Sequence, residues 1–262
     1  MAAGEGDPQS RVRRVALALE YDGTGYSGSQ YQENAPSIQG ALEAAINNLT
    51  GERTRVAFAG RTDAGVHALC QVAAFDTRAS LEIGAFVSGL NHFLPDDIAV
   101  KRALDVDPAF DPRRHATNRV YAYRIDNRRV RSPLMRNRVW HVERPLDVAA
   151  LARAARSLEG THDFAAFAGP YDGSTVRSLR CCQVLGDCGQ VTLRFEAQSF
   201  LPHQVRRTVG QLVDVGLGRL DVERIARLLD EAIPSSAGPA APACGLYLAH
   251  IEYDGLDFGS EQ

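Results

Sequence analysis

A single carboxylate stands in a tight turn between two apolar runs, in residues 59–68, which read AGRTDAGVHA. The carboxylate belongs to Asp63; Arg61 precedes it by two residues, and Gly60 and Gly65 flank the turn. Glycine allows positive φ angles and lets a ligand approach the backbone closely, and a nearby cation favours the ionised form of an acid. The pattern indicates a carboxylate available as a nucleophile or base. A plain Asx-turn beside a solvated arginine would show the same short motif.

Longer stretches of the chain resemble the TruA-type tRNA pseudouridine synthases. The signature GRTDAGVHA matches over nine consecutive positions, and the likeness extends over roughly residues 13–254. Further matching segments are EYDGTGYSG at 20–28, SIQGALE at 37–43, NHFLPDDI at 91–98, RVYAYR at 119–124, residues 200–210 and GLYL at 245–248. The chain departs from the family at Ser29, where an aromatic residue is common, and at Pro202 and Gln204 in the 200–210 segment.

The resemblance also implies roles for individual residues. Asp63 matches the catalytic carboxylate, Tyr121 the active-site tyrosine that stacks on uracil, and Arg206 the arginine that pairs with the carboxylate. Arg61 matches a residue that assists the flipping of the target base. The remaining substrate contacts expected are Thr62, His67, Tyr123, Leu201, His203 and Gln204, and whether His67 contacts RNA or only holds the turn stays open. The family's reaction requires neither a metal nor a cofactor.

The function implied is isomerisation of uridine to pseudouridine at positions 38, 39 and/or 40 of the tRNA anticodon stem-loop, by a homodimer. A catalytically silent tRNA-binding protein on the same scaffold is the alternative. An aspartate-dependent phosphohydrolase or glycosidase is a third class. It is disfavoured because no second carboxylate is placed as the general acid that such glycosidases use.

The composition of the 262-residue chain fits a soluble globular protein. It is 45% hydrophobic and 23% charged, an ordinary balance for such proteins, and no apolar run approaches the roughly 18 residues that span a bilayer. Residues 1–12 lack the apolar core of a signal peptide and are expected to be a disordered lead-in, so the cytoplasm is the expected location. Five cysteines without a C-x-x-C pair are expected to be reduced thiols.

Basic residues cluster strongly even though the formal net charge is −3. Lys101 is the only lysine, and nine arginines lie between positions 113 and 138 with Asp126 as the one acid among them. Arginine binds phosphate bidentately and stacks on bases. The cluster therefore favours an extended phosphate partner, although arginine bias on a solvated strand face would also produce it.

The chain also contains an internal repeat. Residues 36–51 recur as residues 145–160 at a shift of 109, and the same shift carries the AFAG at 57–60 onto 166–169. Both long copies have helical periodicity, with Ser37 and Asp147 as expected N-caps and Gly51 and Gly160 as expected ends. The same shift aligns Asp172 with Asp63 in the sequence. We interpret Asp172 as a turn residue, so that each chain has one active site.

Each half reads strand, helix, strand, strand, helix, strand, which is the split βαβ order. The sequence therefore predicts an α+β fold of two ferredoxin-like halves related by duplication. The halves would join in one mostly antiparallel sheet, with helices on one face and a central RNA-binding cleft. The predicted units are the lead-in at 1–12, halves at 13–111 and 112–254, and a tail at 255–262. Residues 232–244, rich in Pro, Ala and Ser, are expected to be a flexible connection.

Overall fold

The computed structural model describes residues 12–259, so the predicted lead-in lies almost wholly outside the described residues and the tail partly outside. The strands are β1 Arg13–Tyr21, β2 Ala57–Phe58, β3 His67–Thr77, β4 Ile98–Val106, β5 Ala116–Asp126, β6 Trp140–His141, β7 Gly160–Asp163, β8 Val176–Asp187, β9 Gln190–Ala197 and β10 Leu246–Tyr253. The helices are α1 Ile38–Thr50, α2 Ile83–Phe93, α3 Val148–Arg156, α4 Gln204–Gly216 and α5 Arg224–Glu231.

All ten strands belong to one sheet, in the order β4-β1-β3-β10-β5-β9-β8-β7, with β2 paired to β3 and β6 to β5. Only the β3–β10 and β5–β6 pairs are parallel, and the other pairs are antiparallel. The prediction of a mixed fold with a mostly antiparallel sheet is confirmed. The runs β4-β1-β3-β2 and β10-β5-β9-β8 have the same order relative to their positions in the chain.

Strand β10 lies at the centre of the sheet although it comes last in the chain. Leu248 on β10 pairs with Ala68 of β3 on one side and with Tyr121 of β5 on the other. Neighbouring strands are about 4.8 Å apart, so Ala68 and Tyr121 are roughly 10 Å apart across this row. Since Ala68 follows the Asp63 turn by only a few residues, β10 brings that turn close to Tyr121.

Helices α1 and α3 begin at the predicted N-cap residues, Ser37 and Asp147. The Ser37 hydroxyl accepts a hydrogen bond from the Gly40 amide at 3.1 Å, and Gly51 ends α1 with a φ of 76°. The Asp147 carboxylate accepts from the Ala150 amide at 2.9 Å at the start of α3. The prediction that Gly160 ends this helix is wrong: α3 ends at Arg156, and Gly160 opens β7, where it pairs with β8.

Residues 232–244 are not a loose connection, contrary to the prediction. The amides of Ser235 and Ala237 donate to the carbonyls of Ala165 and Ala166, both at 3.0 Å. Ala237 and Ala241 are buried. The small side chains that suggested flexibility instead let the backbone of this segment pack closely against its neighbours.

Within residues 12–259, no helix is long and apolar enough to cross a membrane. Buried apolar side chains from both predicted halves form one continuous core. The five cysteines are free thiols.

Candidate active site

A cavity of about 880 Å³ opens beside the Asp63 turn. Its wall is formed by residues 59–63, by Tyr121 of β5, by the loop 170–173 and by residues 198–206 before and at the start of α4. These segments are far apart in the sequence, so the cavity is a product of the sheet order.

The Asp63 side chain is 38% exposed and has two basic partners on a single oxygen. Arg206 Nη1 donates to Asp63 Oδ2 at 2.8 Å, and His203 Nδ1 lies 3.1 Å from the same oxygen. Among residues 12–259, no partner binds Oδ1. The arrangement fixes the carboxylate through Oδ2 and leaves Oδ1 available to a ligand.

Arg206 is held in place by the segment that was expected to be flexible. Its Nε donates to the Ala241 carbonyl at 2.8 Å, and the Ala241 amide donates back to the Arg206 carbonyl at 2.9 Å. The backbone bond keeps Ala241 beside Arg206, and the Nε bond orients the guanidinium, so that Nη1 points to Asp63.

His203 precedes α4 in a left-handed conformation, with a φ of 60°. Histidine is among the few non-glycine residues enriched there. A Cβ added to Gly169 would lie 2.5 Å from the His203 ring, and the Gly169 amide donates to the Pro202 carbonyl at 2.8 Å. The last glycine of the second AFAG copy is therefore the surface on which His203 packs.

The Asp63 turn is fixed by a buried polar network. The Thr62 amide donates to the Ser29 hydroxyl at 2.8 Å, and the Ser29 amide donates to the Thr62 carbonyl at 3.0 Å. The hydroxyls of Thr62 and Tyr21 lie 2.8 Å apart. The Gln71 side chain donates to the Gly60 carbonyl at 2.8 Å and accepts from the Gly60 amide at 3.3 Å. Ser29, the departure from the family pattern, is thus a structural part of the turn.

Arg119 supports the same turn from β5. It is 7% exposed, and its guanidinium donates to the carbonyls of Ala59 and Arg113, both at 2.8 Å, and to that of Gln198. Burial lowers the pKa of Arg119. The Arg119 donors are directed to backbone carbonyls, although Arg119 belongs to the arginine cluster that was predicted to bind phosphate.

Tyr121 is 8% exposed and packs edge-on against Phe200, with ring centroids 5.1 Å apart. An ideal Cβ on Gly60 would lie 3.8 Å from the Tyr121 hydroxyl, so this hydroxyl faces the start of the Asp63 turn. Burial raises the pKa of Tyr121 well above its usual range. The hydroxyl therefore keeps its proton at neutral pH.

The other predicted contacts divide into two groups. Arg61, Thr62, Leu201, His203 and Gln204 line the cavity. Tyr123 and His67 do not; both are buried. The Tyr123 hydroxyl donates to the Pro242 carbonyl at 2.7 Å. His67 accepts from the Gly23 amide at 3.2 Å and stacks on Tyr247 at 4.7 Å.

The predicted arginine cluster serves two purposes. Arg113 and Arg114 line the cavity with Arg119. Arg128 pairs with Asp126 at 2.7 Å, Arg138 pairs with Asp22 at 2.9 Å, and Arg124 lies over the Tyr247 ring. Clustering in the sequence therefore reflects structural ion pairs as well as the charge of the cavity.

Comparison with known proteins identifies the family to which the chain belongs. A family model described as tRNA pseudouridine synthase matches residues 17–113 and 154–254. The chain belongs to this family. The curated tRNA pseudouridine synthase A of Myxococcus xanthus is 47% identical over 92% of this chain and 92% of its own length. The enzyme of Pelobacter propionicus is 44% identical over 92% of this chain and 100% of its own length. The enzyme of Roseiflexus castenholzii is 47% identical over 92% of this chain and 91% of its own length. The protein is a tRNA pseudouridine synthase, an isomerase that acts on tRNA uridine.

The sequence analysis missed the structural contacts of three residues that hold this pseudouridine synthase site together. Gln71 interrupts the apolar run of β3, which is a detectable signal because a buried polar group needs partners. Arg119 follows Thr117 and Asn118 on β5, so its sequence context gives no such signal. The Ala241 backbone carries no comparable signal, since its contact with Arg206 depends on how the chain returns to the sheet.

Proposed function

We propose that this enzyme forms pseudouridine at one or more of positions 38, 39 and 40 of the tRNA anticodon stem-loop. The observation that carries the proposal is the Asp63 carboxylate held by Arg206 and His203 in a cavity whose wall also presents Tyr121. The cavity also carries Arg113 and Arg114, which supply positive charge for the phosphates of an RNA.

The reaction is an isomerisation, so no atom is gained or lost. The C1′–N1 bond breaks, the uracil turns, and a C1′–C5 bond forms; the proton on C5 is removed and N1 ends with a proton. Asp63 acts on the ribose, either by adding to C1′ or by removing the proton on C2′. Arg206 stabilises the charge on the carboxylate through a charge-assisted hydrogen bond, and the free Oδ1 is the oxygen that meets the ribose.

Tyr121 acts at the base. Its ring forms part of the cavity wall and stacks on the uracil, while its protonated hydroxyl takes part in the transfer of the C5 proton. Phe200, which meets the Tyr121 ring edge-on, restricts the ring to one orientation.

The target uridine must leave the stem to reach Asp63, at a cost of a few kcal/mol. Arg61 assists this step from the rim of the turn, and Leu201 contacts the flipped base. Thr62, His203 and Gln204 complete the substrate-facing wall, whereas Tyr123 and His67 support the site from behind.

The two halves, residues 13–111 and 112–254, arose by duplication, with helices on one face of the sheet and the RNA-binding cleft between the halves. The shared strand order of the two runs and the family match within each half support this. The enzyme acts in the cytoplasm as a homodimer, in which one subunit holds the body of the tRNA while the other presents the active site. Analytical ultracentrifugation of the free protein tests the dimer.

The deciding experiment compares wild type with Asp63→Asn on unmodified tRNA, with carbodiimide mapping of the product. We expect pseudouridine in the anticodon stem-loop from wild type and none from Asp63→Asn. Asp172→Asn is the matched control, because Asp172 lies on the wall of the same cavity, and it is expected to retain turnover. Binding of tRNA by wild type without product would support the silent tRNA-binding alternative, and equal loss in both variants would refute a single catalytic carboxylate.

A further inference from the structure

An exposed tyrosine lines the cavity at a position for which the proposed mechanism has no role. Tyr171 is 46% exposed and lines the same cavity as Asp63. Most large aromatic side chains are buried, so an exposed ring at an RNA-facing wall calls for a physical explanation.

The ring is held in a defined position by Gly173 and Arg177. A Cβ added to Gly173 would lie 2.8 Å from Tyr171 Cε1 and 2.9 Å from Cζ, so the ring rests directly on the Gly173 backbone. Arg177 Nη2 donates to the Tyr171 hydroxyl at 3.4 Å, and the Arg177 guanidinium carbon lies 5.6 Å from the ring centroid. Arg177 is itself fixed, because Nη1 donates to the carbonyls of Ser174 and Val176, both at 2.7 Å.

The loop that carries Tyr171 is attached to the catalytic segment. The Ala168 carbonyl accepts from Arg207 Nη1 at 2.8 Å and from the Ser235 hydroxyl at 2.9 Å, and Gly169 contacts His203, the partner of Asp63. Two residues of extended chain span at most about 7 Å, so the Tyr171 backbone stays close to Gly169. Tyr171 is therefore anchored on the same cavity wall as His203, the partner of Asp63.

The cavity wall at Tyr171 carries charges of both signs. Asp172 and Arg177 line the cavity beside Tyr171, so the two charges offset each other there and the exposed ring is the remaining contact surface. Arg61, Arg113 and Arg114 also line the cavity. Aromatic rings beside arginine bind unstacked bases, since every base has a π-face.

We propose that Tyr171, positioned by Gly173 and Arg177, is a stacking platform for an unpaired nucleobase of the RNA next to the target uridine. The inference rests on the proposed function and adds a second base-binding position to it. Tyr121 receives the target uracil, and Tyr171 receives a neighbouring base that loses its stacking partner when the uridine flips.

The test measures the dissociation constant of an RNA comprising the anticodon stem and loop, at fixed salt, by filter binding. Tyr171→Ala is expected to weaken binding about tenfold, which corresponds to about 1.4 kcal/mol, whereas Tyr171→Phe keeps the ring and stays within about twofold of wild type. Gly173→Ala, which displaces the ring, is expected to behave like Tyr171→Ala.

Tyr31 provides a matched control. It is 43% exposed and has the Arg55 guanidinium over its ring at 4.7 Å, but it does not line the cavity. Tyr31→Ala is expected to bind the RNA like wild type. Equal weakening by Tyr31→Ala and Tyr171→Ala would overturn the proposal, because position on the cavity wall would then be irrelevant.

A second readout separates stacking from a structural role. Each unpaired nucleotide of the RNA is replaced in turn by an abasic one. For wild type, one replacement is expected to weaken binding, and the Tyr171→Ala protein is expected to be insensitive to that same replacement, as in a double-mutant cycle. Wild-type affinity in Tyr171→Ala, or equal losses in both proteins at every abasic position, would overturn the proposal. Failure of the proposed function would instead show as absence of pseudouridine from wild type.

Discussion

Gln71 offers the sharpest test of how the Asp63 turn is held. Its amide pairs with both backbone groups of Gly60, at 2.8 and 3.3 Å, and the side chain is fully buried. Gln71→Met keeps a side chain of similar length but removes both of these hydrogen bonds, together with the longer one of 3.5 Å that Gln71 donates to the Tyr21 hydroxyl. The Gly60 amide and carbonyl then lose their partners just before Asp63.

The expected loss of stability follows from those two groups. An unsatisfied buried polar group costs about 1–3 kcal/mol, and Gly60 is half-buried, so values near the lower end apply. Gln71→Met should lower the free energy of unfolding by about 2–4 kcal/mol. For a chain of this size that corresponds to a fall in melting temperature of about 5–15 °C.

The same change should also reduce turnover. If Gly60 shifts, the Asp63 carboxylate moves relative to Arg206 and the ribose, and a displacement of about 1 Å can cost on the order of 100-fold in rate. We expect kcat for pseudouridine formation to fall about 10- to 100-fold, measured at a temperature at which the variant is folded. The RNA dissociation constant should change little, because Gln71 does not line the cavity.

Leu90→Ala is the control for destabilisation alone. Leu90 is fully buried on α2 and does not line the cavity, and its truncation should cost about 2–5 kcal/mol with kcat unchanged. Equal kcat for Gln71→Met and wild type would refute the positioning of Asp63 by this network. An unchanged urea midpoint would refute the energetic cost assigned to the two Gly60 groups.

Three other expectations concern the helix caps, alkaline pH and salt. Ser37→Ala should destabilise the fold by about 1 kcal/mol in urea unfolding, because it removes the cap on the Gly40 amide; no change would show that water replaces the cap. Burial raises the pKa of Tyr21 to about 12, against the smaller opposing effect of its hydrogen bonds with Thr62 and Gln71. Unfolded tyrosine ionises near pH 10, so stability should fall by about 1 kcal/mol per pH unit for this group as pH rises between these values, and a Tyr21→Phe variant with an equally steep decline would contradict this. Arg114→Gln should weaken RNA binding and reduce its salt slope by about one; a slope equal to that of wild type would remove Arg114 from the phosphate contacts.

Much of the local structure follows from short-range signals. Ser37 and Asp147 cap their helices as their positions predict, because a short polar side chain can satisfy an amide only a few residues away. The same kind of signal failed at Gly160, which opens a strand. Its positive φ fits either use of glycine, and pairing with β8 selected the strand. The prediction of a flexible connection at residues 232–244 was wrong for a related reason, since small residues suit both flexible linkers and close packing.

The sequence alone determined where helices α1 and α3 begin, the Asp63 turn and, through long matching segments, membership of the family. These depend on neighbouring residues, or on motifs long enough to be specific. Only the tertiary structure decided which distant residues meet. Asp63 and Arg206 are 143 positions apart, and they meet because β10 pairs between β3 and β5 and Ala241 anchors the arginine. Hydrogen bonding between strands and packing of side chains act across any sequence separation, so the cavity, its single carboxylate oxygen left open and the exposed ring of Tyr171 emerge only from the folded chain.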